Sequence, residues 1–383
     1  MQARMVRLTE PLATRGVRKA AVTLGRISAI GLALLGTGAL SSPARALEPA
    51  PPRQEAFLKR AVYAEGRLWL LSDSGQLSSL AEHDAHRAAE ALPGAVADVC
   101  RRADAVVALT CAGAGCGTLT IRGRRGGSWI DEGSVALAPR EELLSMTCGD
   151  DAVLLLTDRR LVERSKAGSR AVSLSGDLGP VMTASTYVDG PDLLVGINAG
   201  EWGGGLRRID RRSGKVSLVA RNAAGGICDG PLNAGCDPVN AVVADPWRPA
   251  CVVAAIGLVH FMSHGRLVEV CGDRVTSLYY KPYGDQPPRD AEDDRKAAAG
   301  DLEPPSTVAF FGLVRAGGAL WAAGIDGLYR FDKGTRPKLV PLPAFAVIDG
   351  IRVSFQVPGL ALVITEINRR KSMGGGAPML VAR

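Results

Sequence analysis

The chain has 383 residues, 46% hydrophobic, only 5% aromatic and with 46 glycines, and its formal net charge is +7. Residues 1–46 hold seven Lys/Arg and one acid, so the balance beyond them is about +1. A nucleic-acid-binding domain needs a basic stripe on the folded surface, and this balance gives no support for one. The 337 residues after the leader exceed the usual span of one hydrophobic core and suit a closed repeat.

The leader is read first. Arg4, Arg7, Arg15, Arg18, Lys19 and Arg26 precede an apolar run over 27–40, and Ala44-Arg45-Ala46 follows. A basic start, a short apolar run and small residues at a cleavage point predict a secretory signal peptide cut near Ala46. The run has 14 residues, against about 20 for a membrane-spanning helix. The expectation is a single domain over 47–383, periplasmic or secreted, with no membrane insertion after cleavage.

A pattern then recurs seven times: a short polar turn leads into a strongly apolar strand. The apolar runs fall at 68–71, 105–109, 152–156, 193–197, 250–254, 319–321 and 360–364. More polar, alternating strands follow at 161–164, 206–210 and 258–261, and fourth strands at 215–219 and 338–342. The clearest unit is the hairpin over 319–334, with a turn placed at Asp326-Gly327. Alternation about an Asp-Gly turn is a strong hairpin signal. Long helical periods are missing, and 82–92 and 289–299 read as loops. Seven units of about 48 residues lie in the range of four-stranded blades. The fold class is therefore all-β, a β-propeller of seven four-stranded blades, with six or eight also compatible with the spacing. Strands buried on both faces are nearly all apolar and half-exposed ones alternate. This places the apolar strands at a common axis and the polar ones outside. The chain ends on a third strand at 379–382, and residues 56–59 are expected to complete that last blade.

Leu320-Trp321 with Gly327-Leu328-Tyr329-Arg330-Phe331-Asp332 resembles the repeat of two-component-regulator and related ligand-sensing propellers. Partial copies stand at Leu68-Trp69 and 206–210. The resemblance implies blades over most of the chain, a fold that hosts many functions. It also implies that turns between second and third strands share a face with the links between blades. No helical signalling segment is legible, so a signalling role is not carried over.

Eight cysteines, an even number, in an exported chain predict disulfides. Closeness pairs Cys111 with Cys116, Cys228 with Cys236 and Cys251 with Cys271, leaving Cys100 with Cys148. Eight cysteines allow 105 connectivities, so these pairings rest on proximity alone. No Cys-x2-Cys spacing supports zinc.

The turns of the loop-rich face supply the candidate binding residues. Asn198, Glu201 and Trp202 lie in a glycine-rich turn, and glycine lets a ligand approach the backbone closely. The alternative is a turn whose Trp covers the next blade. Asp158 and Asp326 lie in two further turns, and Glu366, Arg369 and Arg370 in a long one. The arginines could meet an anion. The long links 221–240 and 280–305 fall on the same face, where a scaffold usually carries its site. The acids at 290–294 lack the ligand spacing of a calcium loop. His260 and His264 are four apart on a strand and its turn, which is not metal-pair geometry. No catalytic motif or residue is identified, and the sequence calls for no cofactor. The first reading is a monomeric exported propeller binding an unknown small ligand or protein. A second is a metal-dependent, lactonase-like hydrolase or lyase in which Asp158, Glu201, Asp326 and Glu366 hold a divalent ion. A third is a structural or assembly protein of the cell envelope.

Overall fold

The computed structural model describes residues 6–7, 58–83, 86–113, 115–149, 151–219, 230–260, 262–284, 306–342, 351–365 and 379–383. One compact unit comprises Met1–Leu8 and Ala56–Arg383; a second, Thr9–Glu55, lies outside the described residues. The first unit contains seven four-stranded antiparallel sheets arranged as a β-propeller. In blades I to VI the four strands follow one another in sequence. Among the described residues no helix is long and apolar enough to cross a membrane.

The seven apolar runs are the second strands of the seven blades: Arg67–Ser72, Ala105–Ala112, Ala152–Thr157, Asp192–Asn198, Cys251–His260, Ala319–Gly324 and Leu360–Thr365. Their alternate residues face opposite neighbours. In blade III, Val153 and Leu155 join the core shared with blade II, whereas Leu154 and Leu156 join the core shared with blade IV. In blade V, Val252, Ala254 and Ile256 pack toward blade IV, while Val253 and Ala255 pack toward blade VI. Successive side chains of a strand point to opposite sheet faces, and here both faces are covered by another blade. The period-two signal is thereby erased, because both parities must be apolar.

As the order of turns and strands predicts, the most apolar strands are second in each sheet. What differs is the axis: the first strands meet one another there, and they are mixed. Ala319–Gly324 buries all its residues, but the first strand of blade IV, Thr183–Asp189, buries none fully. A second strand has a hydrogen-bonded neighbour on each side and a blade over each face; a first strand has a sheet neighbour on one side only. Two local assignments also shift. Residues 258–260 continue the second strand of blade V, whose third strand is Met262–Cys271. The blade VI turn is Ile325-Asp326, with Gly324 paired to Gly327.

Ring closure brings blade VII (Ile351–Ser354, Leu360–Thr365, Met379–Ala382) against blade I. The Ser354 hydroxyl donates to the Ala61 carbonyl at 2.5 Å, and the Tyr63 amide donates to the Gln356 carbonyl at 3.3 Å. Ala61, Leu70 and Leu362 form the apolar contact there. The fourth strand of blade VII is Val6–Arg7, paired antiparallel with Met379 and Leu380. Of the predicted 56–59, Leu58 and Lys59 belong instead to Leu58–Ala64, the first strand of blade I, and 56–57 lie outside the described residues.

Three predicted disulfides are present, Cys100–Cys148, Cys111–Cys116 and Cys251–Cys271. The first joins the first strands of blades II and III. Cys236 is not a free thiol; its predicted partner Cys228 lies outside the described residues.

The link from blade II to blade III is pinned by Glu141. Its buried carboxylate accepts from the Ala138 amide at 2.7 Å, the Thr157 hydroxyl at 2.8 Å and Arg160 Nε at 2.7 Å. Burial pushes the carboxyl upward, but the Arg160, Ala138 and Thr157 hydrogen bonds together outweigh it and hold it below the ordinary 4.5. A depressed carboxyl contributes stability above its unfolded value, and this is lost as pH falls through the folded one. Glu141→Gln is therefore expected to cost about 1–3 kcal/mol at neutral pH. Thermal melts should show the gap to wild type closing below pH 4.5. The blade interfaces give a second expectation. Leu155→Ala and Leu320→Ala should each cost about 2–5 kcal/mol in denaturant unfolding. Because they sit in separate cores, the double variant should show the sum where unfolding stays two-state.

Candidate functional site

Antiparallel order sends every first strand away from the face that holds the blade-to-blade links and every second strand back to it. The turns between second and third strands therefore lie on the same face as the links. The sector shared by blades IV and V is the most elaborated described part of that face.

Its base is a buried ion pair. Asp237, in the IV–V link, is fully buried, and Arg266, on the third strand of blade V, is nearly so. Arg266 Nη2 donates to Asp237 Oδ2 at 2.6 Å and to the Gly230 carbonyl at 3.1 Å, and Nε donates to the Pro231 carbonyl at 2.9 Å. The same carboxylate accepts from the Asn233 amide at 2.6 Å and lies 3.1 Å from His264 Nε2. One planar guanidinium thus fixes the link in place, using the fork of donors that only arginine offers.

The link in turn positions the Trp202 turn. Gly204 and Gly205 amides donate to the carbonyls of Ala234 and Asp237 at 2.9 and 2.8 Å. A Cβ on Gly203, whose φ is +77°, would stand 2.4 Å from the Ala234 carbonyl oxygen. The glycines of this turn make room for the link. The short 3₁₀ turn Gly200–Trp202 rises above them. Asn198 holds its foot: its Oδ1 accepts from the Gly200 amide at 2.7 Å, and its Nδ2 donates to Asn240 Oδ1 at 2.7 Å. Asn240 then donates to the carbonyls of Gly257 and Phe310 at 2.8 and 2.9 Å. This chain of amides joins blades IV, V and VI.

What stands on this base is apolar and exposed. Trp202 is 70% exposed, Met182 73% and Met262 61%. Trp202 does not cover the next blade. Met182 enters the turn from the III–IV link, its amide bonded to the Asn198 carbonyl at 2.9 Å. Met262 pairs with His260 at the blade V hairpin. Glu201 and His260 meet at 3.0 Å and tie the two blades across the patch. Large apolar side chains left open together mark interaction surfaces far more often than isolated ones do.

The other predicted residues are distributed differently. Asp326 accepts from Lys281 Nζ at 2.6 Å and from the Tyr329 hydroxyl at 2.7 Å. Burial and then the Asp326 carboxylate push the Tyr329 phenol far above its ordinary range. Asp158 accepts the Glu142 amide at 2.9 Å and lies 3.7 Å from Arg159. Glu201, Asp326 and Asp158 thus each answer a different local partner, and no three acids among the described residues come together as a ligand set. Cys251, Glu269 and Cys271 do lie within 4.8 Å of one another, but the two sulfurs are bonded to each other. Arg248 holds Glu269 at 2.6 Å. Glu366, Arg369 and Arg370 lie outside the described residues. The sequence reading missed Asp237, Arg266, Met182 and Met262; an arginine within the apolar run Arg266-Leu-Val was the one available sign of a buried charge.

No family model matches the chain, and no curated protein matches it. Among solved structures it is similar to the extracellular domain of the one-component system BT4673 from B. thetaiotaomicron, with 13% identity and a TM-score of 0.50. That match covers 87% of this chain and 39% of the other, so the chain spans about two fifths of that neighbour's length. It is also similar to YCF48 bound to a D1 peptide, with 11% identity, a TM-score of 0.50, and coverage of 85% of this chain and 92% of that one. At such identities the likeness concerns the fold, and on topology and likeness together the chain is a seven-bladed β-propeller.

Proposed function

We propose that the chain is an exported binding module whose loop-rich face docks a protein partner over blades IV and V, with Trp202 as the anchor. The observation that carries this is the concentration of Trp202, Met182 and Met262 on a fixed base. Small ligands are mostly enclosed by their pockets. Side chains this exposed gain buried area only under a larger partner. Trp is enriched among the residues that dominate binding energy, and Met adapts to irregular surfaces. YCF48 is solved with a peptide bound, so a propeller of this kind can carry one.

Export rests on the leader composition, with the disulfides in agreement, since disulfides persist in oxidising compartments. The intact mass of the mature protein is expected to begin at Leu47. Retention of residues 1–46 would refute cleavage at that point.

The docking reading is tested by comparing proteins captured from the cell envelope by wild type, by Trp202→Ala/Met262→Ser, and by Ile130→Ser on the opposite face. Partners of wild type should be retained by Ile130→Ser and lost from the double variant. Loss of an anchoring Trp costs about 2 kcal/mol or more, about 30-fold in affinity. An unchanged partner set with an unchanged melting temperature would remove this patch from the site.

A further inference from the structure

The face opposite the long loops carries a different feature. Between blades II and III lies a groove of about 520 Å³, within the size range of small-molecule sites. Its walls come from short turns and strand ends: Arg102, Arg125 and Glu132 of blade II, and Asp151, Arg164 and Lys166 of blade III, with Ile130 and Asp131 at the side.

The charges in it do not balance. Glu132 Oε1 accepts from Arg102 Nη2 at 2.7 Å and from Arg125 Nη2 at 2.9 Å, so one carboxylate serves two guanidinium groups. Burial raises the Glu132 carboxyl, but the Arg102 and Arg125 contacts prevail and hold it low. Arg164 is half-buried, and its Nε donates to the Glu132 carbonyl at 3.1 Å. Among the described residues it pairs with no carboxylate. Lys166 is exposed and has none either. Asp131 accepts from the Gly133 amide at 2.8 Å and lies 3.9 Å from Arg122, which is not in the groove wall. Four cations therefore line the groove against three carboxylates.

The guanidinium of Arg164 also has a prepared seat. Gly133 has φ +126°, and a Cβ there would stand 2.6 Å from Arg164 Nη2 and 2.9 Å from Nε. A side chain at 133 would displace the arginine, so the glycine leaves space for it. The carbonyl fixes Nε, and the terminal nitrogens remain available at the groove. A fixed guanidinium is suited to bidentate recognition of a planar or tetrahedral oxyanion. Asp131 and Asp151 stand at the same groove and would repel a second negative charge, which disfavours polyanions. Ile130, 42% exposed, offers an apolar wall.

The geometry points to a binding site for a small organic molecule bearing one oxyanion group, a carboxylate or a phosphate, received by Arg164 with Arg125 and Lys166 beside it. The site is independent of the apolar patch on the other face.

The test is isothermal titration of the full chain at low ionic strength with inorganic phosphate and, separately, with acetate. Saturable one-site binding of either probe is expected, and which probe binds names the group. Arg164→Gln should weaken it about tenfold or more, and Trp202→Ala should leave it unchanged. No saturable heat with either probe, or equal affinity in Arg164→Gln, overturns the assignment. Should Arg164→Gln lose its cooperative melt, Lys166→Gln replaces it: a several-fold loss supports the site and undiminished binding overturns it.

Discussion

The propeller depends on one requirement: seven strands must hide both their faces, and only another blade can hide a face. A single sheet of this composition would leave one parity of each second strand in water. The described core accordingly consists of separate clusters at blade interfaces. One lies between blades I and II, one between II and III, and one between III and IV. The others follow around the ring to the seam between VII and I. An open arc would leave two such faces bare and two sheets uncovered, which is an aggregation hazard as well as a loss of burial. Closure is thus demanded by the same residues that build each blade.

Because the second strands do this work, the loops are released from it. The IV–V link contributes Leu232 to the core and is otherwise held by polar contacts. Arg266 with Asp237 is a costly way to fill a core, since desolvating both ions offsets much of their attraction. Apolar side chains would pack as well, but they could not reach the carbonyls of Gly230 and Pro231. The ion pair therefore serves placement more than stability. It fixes a link, the link fixes Gly204 and Gly205, and these fix the height of Trp202. An exposed aromatic on a rigid base forfeits little entropy when a partner covers it.

The fold was largely legible in the sequence because burial on both faces writes itself as unbroken apolar runs. Leu193-Leu-Val-Gly-Ile197 needs no partner sequence to be recognised. What composition does not encode is which neighbour covers each face, so the same runs were placed at the axis when they belong one strand outward. The first strands, only partly buried, look like ordinary half-buried strands and gave no sign of being central. The site was legible in part. The turn 198–205 stood out by its glycines, yet their use is to admit residues 234–237, a contact across 30 residues that no local pattern reveals. Asp326 and Asp158 looked available because their partners come from folding beyond the turn itself: Tyr329 from across the hairpin, the Glu142 amide from the start of the same blade, and Lys281 from the V–VI link. Cys100 and Cys148 were paired by elimination, and the structure supplies the reason: neighbouring first strands run side by side.

The outer edge of blade VII raises a question that the other blades answer. Val6–Arg7 lies within the segment read as a cleavable leader, so export would strip blade VII of its fourth strand. Fourth strands bear less of the packing than second strands: Val135, Val219 and Val275 join interface cores, but three others are nearly bare. Ala88–Ala89 is wholly exposed, Gly168–Ser173 buries no residue fully, and neither does Lys338–Pro341. Their main contribution is backbone pairing at the rim, where water can replace each hydrogen bond at small net cost. The contacts that close the ring, Ser354 with Ala61 and Leu362 with Leu70, belong to the first and second strands of blades VII and I. A circle sealed by its inner strands tolerates a three-stranded last blade, and loss of the leader is compatible with the fold.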